Sequence, residues 1–224
     1  MAGNAFKGWT DEALTFFRDL EANNTRPWWL EHKAVYDEQV RAPMEAFGEI
    51  VHDEFGPLHL FRPNRDVRFS KDKSPYKTAL GAVTEDEGGW TFYLQISGEG
   101  LFAGSGAYHM AKDQLERFRA AVDDAKTGPQ LVAMLDPLRK QGFGFGGNEL
   151  KTAPRGYPRD HPRIELLRLK GITVHRQFEP AAWLHTKAAA TKVTDVWRAA
   201  KPVTDWWGAH VGPSTEPPDQ GWGR

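Results

Sequence analysis

The chain has 224 residues, 40% of them apolar, which is enough to build a core without help from disulfides or metal. Its 29 basic and 30 acidic side chains leave a net charge of −1, which argues against a polybasic nucleic-acid or membrane binder. The absence of cysteine excludes a disulfide framework, a thiolate nucleophile and any Cys-ligated metal or cluster.

Thr10 has the chemistry of an N-cap, and Leu14, Phe17 and Leu20 recur on one face, so the pattern predicts a helix over 11–22 that ends at Asn23-Asn24. Trp9 and Leu14 have the spacing of a hydrophobic staple. Trp29, Tyr36, Val40, Met44, Phe47, Val51 and Phe55 predict a second helix, kinked near Gln39 because Pro43 lacks an N–H. Trp90 to Ile96 and Leu101 to Ala107 read as strands, and Glu85-Asp86-Glu87-Gly88-Gly89 as a solvated hairpin tip. Two short helices follow, on Leu115, Phe118 and Val122 and on Leu131 to Leu138. Gly142 to Gly147 lacks the ending of a phosphate loop and reads as an ordinary loop.

A short helix opened by Asp160 and Pro162, a strand at Ile172 to Val174 and a last helix bent at Pro202 complete the pattern. Helices at both ends of a strand-rich middle predict an α+β fold with a central, largely antiparallel sheet. The expectation is one domain over 1–211 and a mobile tail over 212–224. The opening residues have no apolar targeting stretch, and no run is long enough to span a membrane, so a soluble, cytoplasmic protein is expected.

Charge is not spread evenly. Residues 1–61 carry 5 basic and 11 acidic groups, whereas 62–77 holds six cations against Asp66 and Asp72, and 149–176 holds seven against three carboxylates. In the first island, Asp66-Val67-Arg68-Phe69 has strand alternation, which places Asp66 and Arg68 on one face. Arginine forks suit phosphate or carboxylate, lysine adds a mobile charge, and an aspartate can lock an arginine rotamer.

Arg62-x-x-Arg65-Asp66-x-Arg68-Phe69-Ser70-Lys71-Asp72-Lys73-Ser74-Pro75-Tyr76-Lys77 resembles the signature of the domain of unknown function 2461 family, which is mainly bacterial. Leu20 to Trp29, with Asn23, Asn24 and Trp28, is similar to that family's N-terminal block. Lys151-x-x-Pro154-Arg155-Gly156-Tyr157 with His161-Pro162 is similar to its second block, and the resemblance extends over roughly 10–210. It implies that these segments belong together and implies no substrate.

The reading that follows is an anionic, phosphate- or carboxylate-bearing small molecule bound where the two islands meet. Arg62, Arg65, Arg68, Lys73, Tyr76, Lys77, Lys151, Arg155 and Lys170 are its candidate ligands. Asp66, Asp72 and His161 are the candidate proton-transfer groups, since each lies among cations that could tune it. The bland reading is a lattice of internal ion pairs at a turn. Nucleic acid on the same surface, with aromatic side chains stacking on unpaired bases, and a non-catalytic interaction scaffold built on the nine tryptophans are the alternatives. No cofactor is implied. The eight histidines have no metal-ligand spacing, and Ser105 in Gly104-Ser105-Gly106 reads as packing.

Overall fold

The computed structural model describes residues 5–68, 71–85 and 88–216. Its first helix, α1 (Asp11–Ala22), has the predicted bounds and buries Leu14, Phe17 and Leu20 together, with Asn23 at its C-terminal end. Thr10 departs from expectation. It occupies the cap position, yet its hydroxyl donates to Gln39 Oε1 at 3.0 Å, and the first turn is closed by its carbonyl, which accepts from the Ala13 N–H at 3.1 Å. The predicted second helix is three segments: α2 (Arg26–Val35), a π-helical stretch (Tyr36–Arg41) and α3 (Ala42–Phe55). Pro43 has no N–H to offer and its ring crowds the Gln39 carbonyl, so the ladder widens and the Ala42 N–H reaches back to Asp37.

Six strands follow: β1 (His59–Leu60), β2 (Ala79–Glu85), β3 (Thr91–Ser97), β4 (Gly100–Ala107), β5 (Gly144–Gly146) and β6 (Ile172–Phe178). They form one antiparallel sheet in the order β1-β2-β3-β4-β6-β5. The remaining helices are α4 (Lys112–Asp123), α5 (Thr127–Lys140), α6 (Ile164–Leu167), α7 (Ala188–Ala199) and α8 (Lys201–His210). This is the expected α+β class. The last predicted helix is divided at Ala200, where Pro202 occupies the first turn of α8.

Two local expectations are corrected. Gly142 to Gly147 is not a loop throughout, because Gly144–Gly146 pairs with β6. A Cβ on Gly144 would stand 2.3 Å from His175 Nε2, so any other residue there would require the His175 ring to move aside. Asp66 to Arg68 is not a strand. The Asp66 carboxylate accepts the Arg68 backbone N–H at 3.1 Å, and this local turn takes the donor that a ladder would need. Phe69, Ser70, the Asp86-Glu87 tip and residues 217–224 of the expected tail lie outside the described residues.

The described residues divide into two compact units, one of those within 1–85, 92–104 and 176–197 and the other of those within 88–91, 105–175 and 198–216. In the first, Trp197 is fully buried among Phe47, Phe55 and Phe92, and its indole N–H donates to the Tyr93 carbonyl at 3.2 Å. In the second, Trp90, Phe118, Trp206 and Trp207 are buried together. Ser105 is buried and accepts the Trp90 indole N–H, the packing role its neighbouring glycines suggest. A Cβ on Gly106 would lie 2.2 Å from the Ile172 carbonyl oxygen, so this strand position admits only glycine.

Gly212 to Glu216 is tied to α4. Asp113 accepts from the Thr215 N–H at 2.8 Å and the Ser214 hydroxyl at 2.7 Å, and Arg117 donates to the carbonyls of Val211 and Pro213. The Thr215 N–H, with the Ser214 hydroxyl and Arg117, holds the Asp113 carboxyl well below the usual range. Among the described residues, no helix is long and apolar enough to cross a membrane.

Candidate functional site

The first basic island is a loop closed at its base. Arg65 N–H donates to the Pro75 carbonyl and Lys77 N–H to the Pro63 carbonyl, both at 2.8 Å, around an antiparallel bridge of Asn64 with Tyr76. Asn24, at the end of α1, locks this base from below. Its amide donates to the Tyr76 carbonyl at 2.9 Å and its carbonyl accepts the Tyr76 N–H at 3.0 Å, so one side chain does the work of a neighbouring strand. Tyr76 is buried with its ring stacked on Trp29, centroids 4.2 Å apart and planes within 10°. It anchors the loop, and Trp29 covers one of its ring faces.

Alternation across the bridge has a consequence for charge. With Tyr76 turned to Trp29, Arg65 and Lys77 take the opposite face, diagonally across the pair. Burial, with the Arg62 and Arg65 charges close by, pushes the Lys77 ammonium below its ordinary value. The Arg62 and Arg65 charges thus lie near enough to Lys77 to act on it, and a carboxylate stands beside one of them. Asp72 pairs with Arg65, while its other oxygen accepts the Ser74 N–H at 2.9 Å and the Ser74 hydroxyl at 2.6 Å.

The tip of the loop serves its own conformation. Arg68 holds Asp66 through Nε at 3.0 Å and Nη2 at 2.7 Å, and Lys73 Nζ donates to the Val67 carbonyl at 2.8 Å. The Arg68 guanidinium, then its backbone N–H, bring the Asp66 carboxyl down to about 2. A carboxylate so acidic is ionised throughout the neutral range and acts as a rotamer lock. Because the shift is downward, this pairing favours the folded loop above the ordinary carboxylate range and is lost as pH falls through about 2. Carboxyl NMR is expected to give Asp66 a midpoint near 2 in the wild type and a higher one in Arg68→Ala, still below the ordinary value because the backbone N–H of residue 68 remains.

Residues 149–175 of the second island lie in the other unit. His161 Nδ1 accepts the Arg163 N–H at 3.0 Å, which puts the imidazole proton on Nε2, 3.1 Å from Asp123 Oδ1. Both ring nitrogens are therefore occupied, a positioning arrangement at the end of α4. Arg163 donates to the carbonyls of Val122 and Asp123 at 2.5 and 2.7 Å, capping that helix, and Arg168 donates to Leu150 at 2.6 Å. Lys170 joins the backbone at both ends, its N–H to Asn148 and its carbonyl from Met110. Lys151, Arg155 and Arg159 are exposed. Among the described residues, no group of three or more His, Asp and Glu side chains is placed to hold a metal ion.

Sequence reasoning passed over Asn24 as part of a site, because Asn23-Asn24 reads as a helix stop. The amide's two-way hydrogen bonding is visible only once Tyr76 lies beside it. Phe61 was also passed over, although it directly precedes the first arginine.

An α+β fold with a cation-bearing loop pinned to its first helix is the class of protein these features define. The chain belongs to the family described as "Conserved hypothetical protein (DUF2461)", whose model matches residues 12–206. No curated protein and no solved structure matches it.

Proposed function

We propose that the face bearing Arg62, Arg65 and Lys77 binds an anionic small molecule through a phosphate or carboxylate group. The observation that supports this reading is the crowding of three cations at the closed base of one loop, where the Lys77 ammonium is partly desolvated and repelled by its two neighbours. Asp72 offsets part of this repulsion at Arg65, and an arriving anion adds negative charge beside Lys77. A backbone clamped by Asn24 keeps the cations in place before any ligand arrives, which lowers the ordering cost of binding. Asp66 and Asp72 hold Arg68 and Arg65 in register in this reading and take no proton from the ligand.

Titration with inorganic phosphate, followed by amide NMR, tests it. Lys77→Ala is expected to weaken binding by about tenfold, the order of one charge-assisted contact. Asp72→Asn, which removes the competing carboxylate from Arg65, is expected to strengthen it. Equal binding by wild type and Lys77→Ala sinks the proposal in favour of a purely internal ion-pair lattice.

A further inference from the structure

Phe61 is a large apolar side chain left 42% exposed at the edge of the cationic face. The Lys77 ammonium sits 5.4 Å from its ring centroid, a cation–π distance, and Arg62 is the next residue in the chain. The ring continues into a strip. Phe61 and Tyr93 are 6.2 Å apart and tilted by 36°, and Tyr93 meets Phe102 edge-on at 5.9 Å. Tyr93 belongs to the less covered face of β3, since Leu94 and Ile96 are buried while Tyr93 and Gln95 are only half-buried.

Two features hold these rings in place. A Cβ on Gly81 would lie 2.7 Å from the Tyr93 hydroxyl and 3.0 Å from Phe61 Cδ2, so the bare strand at Gly81 is what lets both rings lie over β2. The Tyr93 hydroxyl donates to Gln95 Oε1 at 2.7 Å, tethering the far end of its ring, and the Phe61 N–H donates to the Gly81 carbonyl at 2.9 Å. The result is a preorganised aromatic shelf beside a set of cations.

We propose that the ligand of the cationic face carries a planar ring, as a nucleoside monophosphate does, and that Phe61 and Tyr93 are the shelf on which that ring stacks. This rests on the anion reading above and adds the chemical class to it. An inorganic anion adds charge at the cationic face and leaves the Phe61 ring in water, whereas a ring-bearing phosphate meets the cations and covers the apolar surface together. A small ligand is favoured over a polynucleotide by charge. The first 61 residues carry 11 acidic groups against 5 basic ones, an excess that repels a long polyanion and costs a single phosphate little.

The test is calorimetric titration of the full chain with AMP and with ribose 5-phosphate, which differ by the base alone, on wild type, Phe61→Ala and Phe61→Tyr. AMP is expected to bind wild type about tenfold more tightly than ribose 5-phosphate, the order of one base stacked on an aromatic ring. That advantage is expected to vanish in Phe61→Ala and to persist in Phe61→Tyr. Taking the ratio of the two ligands separates ring stacking from any change in Lys77, because both ligands share the phosphate. Ribose 5-phosphate binding without an AMP advantage, or an advantage that survives Phe61→Ala, overturns the shelf and leaves the anion reading standing. Failure of both ligands to bind overturns both proposals. A short single-stranded oligonucleotide that binds far more tightly than AMP overturns the small-molecule assignment.

Discussion

Asn24→Ala is expected to lower stability by about 2 kcal/mol, roughly the combined worth of two hydrogen bonds to a part-buried backbone. The amide satisfies both the N–H and the carbonyl of Tyr76, and removing it strands two groups that the Trp29 stack keeps from bulk water. Asn24→Asp does not rescue it. The carboxylate still accepts from the Tyr76 N–H but sets a second oxygen against the Tyr76 carbonyl, where a donor is needed. Urea unfolding measures this as a lower midpoint at unchanged slope. The same variants are expected to bind phosphate more weakly, since the base of the loop carries Arg65 and Lys77 on its other face. A stability loss with phosphate affinity intact would mean that the cations are placed by something other than this clamp.

Trp197→Ala is expected to cost more, about 4 kcal/mol, within the range for truncating a fully buried aromatic. The indole fills the space between Phe47, Phe55 and Phe92 at zero exposure, so its loss leaves a cavity lined by rings that cannot collapse into it. It also removes the donor to the Tyr93 carbonyl, on the strand whose other face carries the aromatic shelf. Trp197→Phe keeps most of the volume and loses the indole N–H. It is therefore expected to fall between the two, and thermal or urea unfolding of the three proteins ranks them.

Several elements were legible in the residues themselves. The bounds of α1 follow from its apolar spacing, and the disturbance near Gln39 follows from Pro43, because both depend on interactions within a few residues. Burial of Trp9, Trp29, Trp90, Trp197, Trp206 and Trp207 likewise follows from their size and apolarity. Other features escaped for an equally physical reason. The Asp66 to Arg68 alternation matches a strand, but a carboxylate two residues from an amide closes a turn instead. Gly144 to Gly146 resembles a loop by composition, and only its pairing with Thr173 to His175, distant in the chain, makes it a strand.

The candidate site divides in the same way. That cations gather between 62 and 77 is a property of the sequence, readable by counting. Which carboxylate or carbonyl each of them meets is not. Arg68 bends to Asp66, Lys73 to the Val67 carbonyl and Arg65 to Asp72, while Tyr76 turns to Trp29 and so sends Arg65 and Lys77 to the opposite face. Charge and hydrophobic period are sums over residue types and survive in any conformation. Ion pairing and facing depend on contacts of about 3 Å between groups distant in the chain, and only the folded backbone brings those within reach.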